Sequence, residues 1–273
     1  MNWLKKHLTT VVLSAVLMVG LGLVLYPSVS NYWNSIHQSR AIETYVAAVA
    51  DMDEEEYETI LNAAKEYNRE LSETGVKWNL SEEEKKEYER QLNIEETGIM
   101  GYIDIPKIHV KLPIYHGTEE KTLETSIGHI EGTSLPVGGE SSHCVLSGHR
   151  GLPSAKLFTD LDVLEEGDVF SMTVLNETFS YEVDQIRIVE PADLTELRIF
   201  EGEDYCTLVT CTPYGINTHR LLVRGHRVDN PDGDADVLAD ALQIEPIYIV
   251  PFIAAFILLV LFVIMLVRTR KKK

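Results

Sequence analysis

Two stretches without a single charge bound what this chain of 273 residues can become: Leu8 to Tyr26, and Ile247 to Val267. As a helix rising ~1.5 Å per residue, the second covers about 31 Å, the depth of a bilayer core. It is apolar on all sides, which leaves a deeply buried core helix or a membrane span; at this length the span is expected. The first stretch follows Lys5 and Lys6 and precedes Ser28-Val29-Ser30. It reads either as a retained anchor or as a signal peptide cut after small residues, and its length beyond a usual signal core favours the anchor. Cationic flanks orient both. Lys5 and Lys6 lie before the first span, and Arg268, Arg270, Lys271, Lys272 and Lys273 after the second. Both termini are therefore expected in the cytoplasm and residues 28–245 outside.

The outer portion keeps 17 of the 24 Lys and Arg and all 43 Asp and Glu, a net charge near −26. Nucleic acid and anionic lipid are poor partners for such a surface. A cationic substrate group suits it better, although much of the charge is ordinary solvated surface. Cys144, Cys206 and Cys211 are too few for a disulfide framework in a domain this large. At most one pair forms, which leaves an exported thiol as a candidate nucleophile. The histidines and cysteines lack a closed zinc-like spacing, so no metal is expected, and no cofactor.

Residues 31–97 read as an acidic helical preface. Apolar residues recur at helical spacing through Ile42, Tyr45, Val46 and Val49, then through Tyr57, Ile60, Leu61 and Ala64. Asp51 and Asp53 sit where one helix should end and the next be capped, and Ser81-Glu82-Glu83-Glu84 starts another. From Gly98 the texture changes to short strands: Tyr102–Pro106, Val110–Tyr115, His143–His149, Val169–Leu175, Thr178–Val189, Tyr205–Cys211 and Arg220–Arg227. A single helix is expected near Ser154–Leu164. The whole is a mostly β protein, a closed or nearly closed barrel over 98–230. A linker over 231–245, the second span over 246–268 and a basic tail over 269–273 complete the chain, with residues 1–30 as the amino-terminal anchor.

Three residues stand where chemistry is possible. Tyr205 to Cys211 is a β-branched strand that ends on a cysteine before Pro213 and Gly215, which holds a thiol rigid yet accessible. Cys206, mid-strand among apolar neighbours, fits a small core residue instead. Cys144 to Gly148 runs into His149, where an imidazole can take a proton from a thiol and later protonate a leaving amine. His219 and His226 compete for that role. Arg220 can stabilise the oxyanion of acyl transfer. Arg224 lies on the same strand face; distance across the turn from Cys211 favours Arg220, with Arg224 as a structural charge.

TLVTC followed by an arginine nine residues later, with LSGHRG about sixty residues upstream, resembles the sortase signature. The likeness runs through GYIDIPKI, KLPIYHGT, GHIEGTSLPVGGE, GLPSAKLFTDLD and CTPYGINTHRLLVRG, roughly residues 98–228, and is strongest to the pilin-polymerising class C enzymes. It implies a sortase-like closed barrel of about eight strands with a helical segment before it and flanking transmembrane helices. It also implies Cys211 as nucleophile, His149 as acid/base and Arg220 as stabiliser of oxyanion and substrate. The substrates would be pilins or surface proteins bearing an LPxTG-like sorting signal, and the acceptor an amine such as a pilin lysine, at a membrane and without nucleic acid. Class C members often carry a lid with an Asp-Pro-aromatic motif, and no such tripeptide occurs here. Trp78, in GVKWNL, is the substitute: a lid over the thiol, or plain core packing against the barrel side.

Cys144 precedes His149 by five residues, and Cys206 precedes Cys211 by five. If their strands are parallel neighbours, the two cysteines lie side by side, on the sheet face opposite the catalytic pair. A buried, reduced pair is expected. Within the family, a housekeeping enzyme that anchors proteins to the cell wall is the alternative. Beyond it stands a hydrolytic cysteine protease, although the papain-like order of later histidine and asparagine is absent. A non-catalytic tethered binding protein would need all three residues to be structural.

Overall fold

The computed structural model describes residues 2–230 and, beyond them, Phe256, Leu258 and Phe262. The linker 231–245, all but three residues of the span 246–268 and the tail 269–273 fall outside the described residues.

The chain divides into two compact units, residues 1–33 with 234–273, and residues 34–233. In the first, α1 (Asn2–Ala50) begins and carries Pro27 within it. It is long and apolar enough to cross a membrane, and Leu13, Val16, Val19 and Leu23 are exposed along it.

The second unit is a closed barrel with helices packed on it. Its strands are β1 (Ile99–Ile105), β2 (Val110–His116), β3 (Ile127–His129), β4 (Ser142–Gly148), β5 (Val169–Val174), β6 (Glu177–Val189), β7 (Asp204–Thr212) and β8 (His219–Val228). They close in the order β1-β2-β3-β4-β7-β8-β6-β5. The pairs β2–β3 and β4–β7 are parallel and the rest antiparallel. Seven of these strands coincide with the alternating runs in the sequence to within a few residues; β3, only three residues long, carries too little pattern to be read.

The acidic preface is part of the same body. Helix α1 ends at Ala50, and α2 (Glu54–Thr74) is capped by Asp53, whose carboxylate accepts from Glu56 N at 2.9 Å. Glu54, Glu55 and Glu56 then face the positive end of the helix. Helix α3 (Glu82–Arg90) opens with a reciprocal capping box between Ser81 and Glu84. Leu61, Ala64, Asn68 and Leu71 form the buried stripe of α2. Tyr45, Val49, Leu61, Ala64, Tyr88 and Leu92 share one core with the barrel strands. Two polar contacts complete the join. The Tyr45 hydroxyl donates to Met100 O at 3.0 Å and accepts from Leu175 N at 2.7 Å. Asn68 donates to Leu135 O and Gly138 O and accepts from Leu135 N.

Two helical features differ from the sequence reading. A short helix, α4 (Glu120–Leu123), precedes β3. The helix expected at 154–164 is replaced by turns and a 3-10 turn at Leu161–Val163. Leu157 adopts φ 42°, which interrupts a right-handed helix, and Phe158 N donates to His149 O at 3.1 Å instead of to Ser154. The Ser154 carbonyl accepts from Asn34 Nδ2 at 2.8 Å.

Candidate active site

The parallel pair β4–β7 and the antiparallel pair β7–β8 bring the three sequence-selected residues to one rim. On β7 the side chains alternate. Cys206 and Leu208 point into the main core, while Val209 packs in a second cluster on the outer face. Cys211, two residues beyond Val209, shares that outer face and is partly exposed.

Cys211 is the direct cross-strand partner of Arg220. Such partners have Cβ atoms about 5 Å apart on the same face. On the other side of β7, Val145 pairs with Thr207 and Ser147 with Val209. The ladder ends there; the same register extended two residues would bring His149 level with Cys211. The order β4-β7-β8 thus gathers His149, Cys211 and Arg220 at one end of three neighbouring strands.

His149 lies just past the end of β4, and its position is held from both flanks. The Thr210 hydroxyl donates to Gly148 O at 2.7 Å, and Phe158 N donates to His149 O. Gly148 has no room for a side chain: a Cβ there would come 2.7 Å from the Phe158 ring and 2.9 Å from Ile127. Glycine before the histidine is therefore a packing requirement.

The two arginines separate cleanly. Arg224 forms a bidentate pair with Asp184, at 3.0 and 2.8 Å, and stacks 4.1 Å over the Tyr205 ring. Asp184 occupies the bulge of β6, between Val183 and Gln185, which aims its carboxylate at Arg224. Among the described residues, Arg220 donates to backbone oxygens, Asn217 O at 3.4 Å and His219 O at 3.2 Å. Its cation remains available at the rim. His219, at the start of β8 opposite Thr212, faces Glu190 at 3.3 Å.

Below the thiol, Val145, Leu197, Val209 and Leu222 form an apolar floor, with Ile130 and Val189 against it. His143 sits further along the same face. Its Nδ1–H donates to Arg198 O at 2.7 Å and its Nε2 accepts from the Thr207 hydroxyl at 2.7 Å. Burial pushes its pKa down to about 4. A neutral imidazole of that kind braces the loop between β6 and β7.

Trp78 is not brought to Cys211 by the described contacts. It is 37% exposed, and its neighbour Lys77 donates from N to Gly132 O at 3.0 Å. Gly132 lies in the β3–β4 connection, where Ile130 N reaches Val145 O and Ser134 N reaches His143 O. That level of β4 is at least four residues, about 13 Å, short of His149.

Sequence reasoning passed over Arg150, Asp162 and Thr212, whose side chains join next to His149 and Cys211. Each lies inside a block quoted for the family resemblance, but no spacing rule pairs side chains across loops of that length.

Comparison with known proteins points to one family. The Sortase domain family model matches residues 103–228. Sortase D of Bacillus subtilis (strain 168) is 33% identical over 137 residues, which cover 49% of this chain and 66% of that protein. The crystal structure of sortase C1 from Streptococcus agalactiae is 60% identical with a TM-score of 0.69, covering 70% of this chain and all of that one. Sortase C of Clostridium perfringens, solved with the C-terminal cell wall sorting motif, is 44% identical with a TM-score of 0.63, over 70% of this chain and all of that one.

Proposed function

Because this chain belongs to the sortase family of cysteine transpeptidases, with class C members among its structural neighbours, we propose that it is a membrane-anchored pilin polymerase. It acts outside the cell on LPxTG-like sorting signals. Helix α1 supplies the amino-terminal anchor and residues 246–268 the second, with both termini cytoplasmic.

What supports this reading is the pairing of Cys211 with Arg220 across β7–β8, together with the parallel β4–β7 register that runs toward His149 and Cys211. The Cys211 thiolate attacks the carbonyl carbon of the Thr–Gly bond, and the oxygen gains charge next to the Arg220 guanidinium. As the tetrahedral centre collapses, the C–N bond breaks and the protonated His149 gives its proton to the departing glycine amine. A thioester remains on Sγ. The acceptor amine, a pilin lysine, yields a proton to His149 and attacks the thioester. The thiolate leaves and an isopeptide bond has formed. The external charge near −26 favours the approach of a cationic acceptor.

The test uses the full-length chain in detergent micelles with an LPxTG peptide and an amine acceptor, beside Cys211→Ala. A thioester mass on Cys211 and amine-dependent ligated product are expected, and both should vanish in the variant. Peptide cleaved to the free acid at a rate indifferent to the amine would refute transpeptidation in favour of a hydrolase.

A further inference from the structure

Three of the sequence blocks, LSGHRG, GLPSAKLFTDLD and CTPYG, meet at one side chain that the reaction leaves unused. Arg150 directly follows His149. From Nη2 it donates to Asp162 Oδ2, in the connection between β4 and β5, and from Nη1 to the Thr212 hydroxyl at 3.4 Å. Its Cζ lies 5.9 Å from the centre of the Tyr214 ring. The side chain is only 9% exposed, against 48% for its partner Asp162. Its Nε is buried without a hydrogen-bond partner.

A buried guanidinium with an unsatisfied N–H is an expensive way to hold a loop; apolar packing does that as well or better. What apolar packing cannot do is tie two particular points together with directional bonds. The points here are telling. Thr212 is the residue after Cys211, and Arg150 is the residue after His149. The ladder between β4 and β7 is registered only as far as Ser147 and Val209. Past that point, cross-links from side chains set the spacing of imidazole and thiol. The planar fork of arginine reaches Asp162 and Thr212 together, which the single ammonium of lysine does not.

We propose that Arg150 is a positioning residue for the acyl-transfer reaction. Held by Asp162, it clamps the segment carrying His149 to the segment carrying Cys211 through Thr212. The inference rests on the transpeptidase reading above, and acts through residues that touch the substrate, never on it.

The experiment compares Arg150→Gln, Arg150→Lys, Thr212→Val and Cys211→Ala in the full-length chain in micelles. It reads kcat and KM for thioester formation on an LPxTG peptide, the pH–rate profile and the thermal midpoint. Arg150→Gln should lower kcat about 100-fold with KM within about threefold, the size of effect a small misplacement of reacting groups brings. Lysine should restore less than about a tenth of that loss, since it makes one arm of the clamp. Thr212→Val, which keeps the shape and removes one acceptor, should lower kcat about tenfold and move a limb of the pH profile by about half a unit or more. An unchanged kcat and pH profile in both Arg150→Gln and Thr212→Val, with only the thermal midpoint lowered, would make Arg150 a structural residue and overturn the inference. A loss in Arg150→Gln with none in Thr212→Val overturns the clamp. If Arg150→Gln does not fold, Thr212→Val decides alone. Activity that survives Cys211→Ala overturns the site itself, which is a distinguishable failure.

Discussion

Cys144 and Cys206 stand directly opposite each other across the parallel pair β4–β7, 62 positions apart, the same interval that separates Gly148 from Thr210 and His149 from Cys211. Both thiols face the barrel interior, 2% and 0% exposed, and Cys206 Sγ lies 3.7 Å from Met172 Sδ. Burial pushes the Cys206 thiol well above its ordinary range. All three cysteines are free. Intact-mass labelling of the folded protein without reductant should therefore add one alkyl group, at Cys211, and labelling after denaturation three. One group in both conditions would mean an internal disulfide and a wrong redox assignment.

Arg220 and Arg224 should fail in opposite ways. Arg224→Ala leaves the partly buried Asp184 carboxylate unpaired and strips the stacking from Tyr205, which should cost about 2–4 kcal/mol in urea unfolding. Its folded fraction should keep wild-type transpeptidation. Arg220→Ala removes a cation that, among the described residues, is bound to backbone carbonyls, so stability should change by less than about 1 kcal/mol. Its kcat should fall on the order of 100-fold or more, as when an oxyanion donor is lost. Equal activity in the two variants would contradict the assignment of Arg220 to the reacting centre.

The loop holding Trp78 is anchored at Gly132, where a Cβ would meet Lys77 O at 1.9 Å, so the two backbones touch. Trp78→Ala should leave the alkylation rate of Cys211 within about twofold of wild type, because burial of a thiol depends on what lies over it. A tenfold acceleration would support Trp78 as a lid over the thiol.

His143 predicts a pH dependence of stability. Burial, aided by the nearby Arg224 cation and opposed by the hydrogen bond to Arg198 O and by Asp184, lowers its pKa from 6.5 to about 4. Between those values the unfolded chain binds a proton that the native protein does not. Stability contributed by the neutral ring is therefore complete above about pH 6.5 and is lost as pH falls toward 4, by about 3 kcal/mol in all. Urea midpoints measured at pH 7 and 4.5 should converge more in His143→Gln than in wild type. Identical pH slopes would show that His143 titrates normally.

Much of the site was legible because a strand period is short and strict. If the two strands are parallel neighbours, as they are, an interval shared by two cysteines and by a histidine–cysteine pair puts the cysteines side by side, and parity then assigns faces. Distance from the turn separated Arg220 from Arg224, although only the Asp184 bulge explains what Arg224 does. The preface reads as a separate segment in sequence, yet Tyr45, Leu61 and Tyr88 bury into the barrel core. Helical periodicity reveals that a face is apolar and is silent on what covers it. The false helix near 154–164 has the same origin: local pattern favours helix, while Phe158 N is drawn away to His149 O. Arg150, Asp162 and Thr212 escaped because side-chain bonds between loops follow no period.

The closed order of the eight strands has a consequence for how a peptide can be recognised. Among the described residues, strands β4, β7 and β8 are each paired on both sides along most of their length, so strand edge near Cys211 is limited to the last residues of β7 beyond Val209, too short a stretch for extended β-augmentation. A substrate lying over the apolar floor must be read by its side chains and by donors on the connecting loops. Sequence discrimination then resides in segments that can vary without disturbing the barrel, and replacing backbone amides of the substrate with esters at positions along that floor should be tolerated far better than altering its side chains.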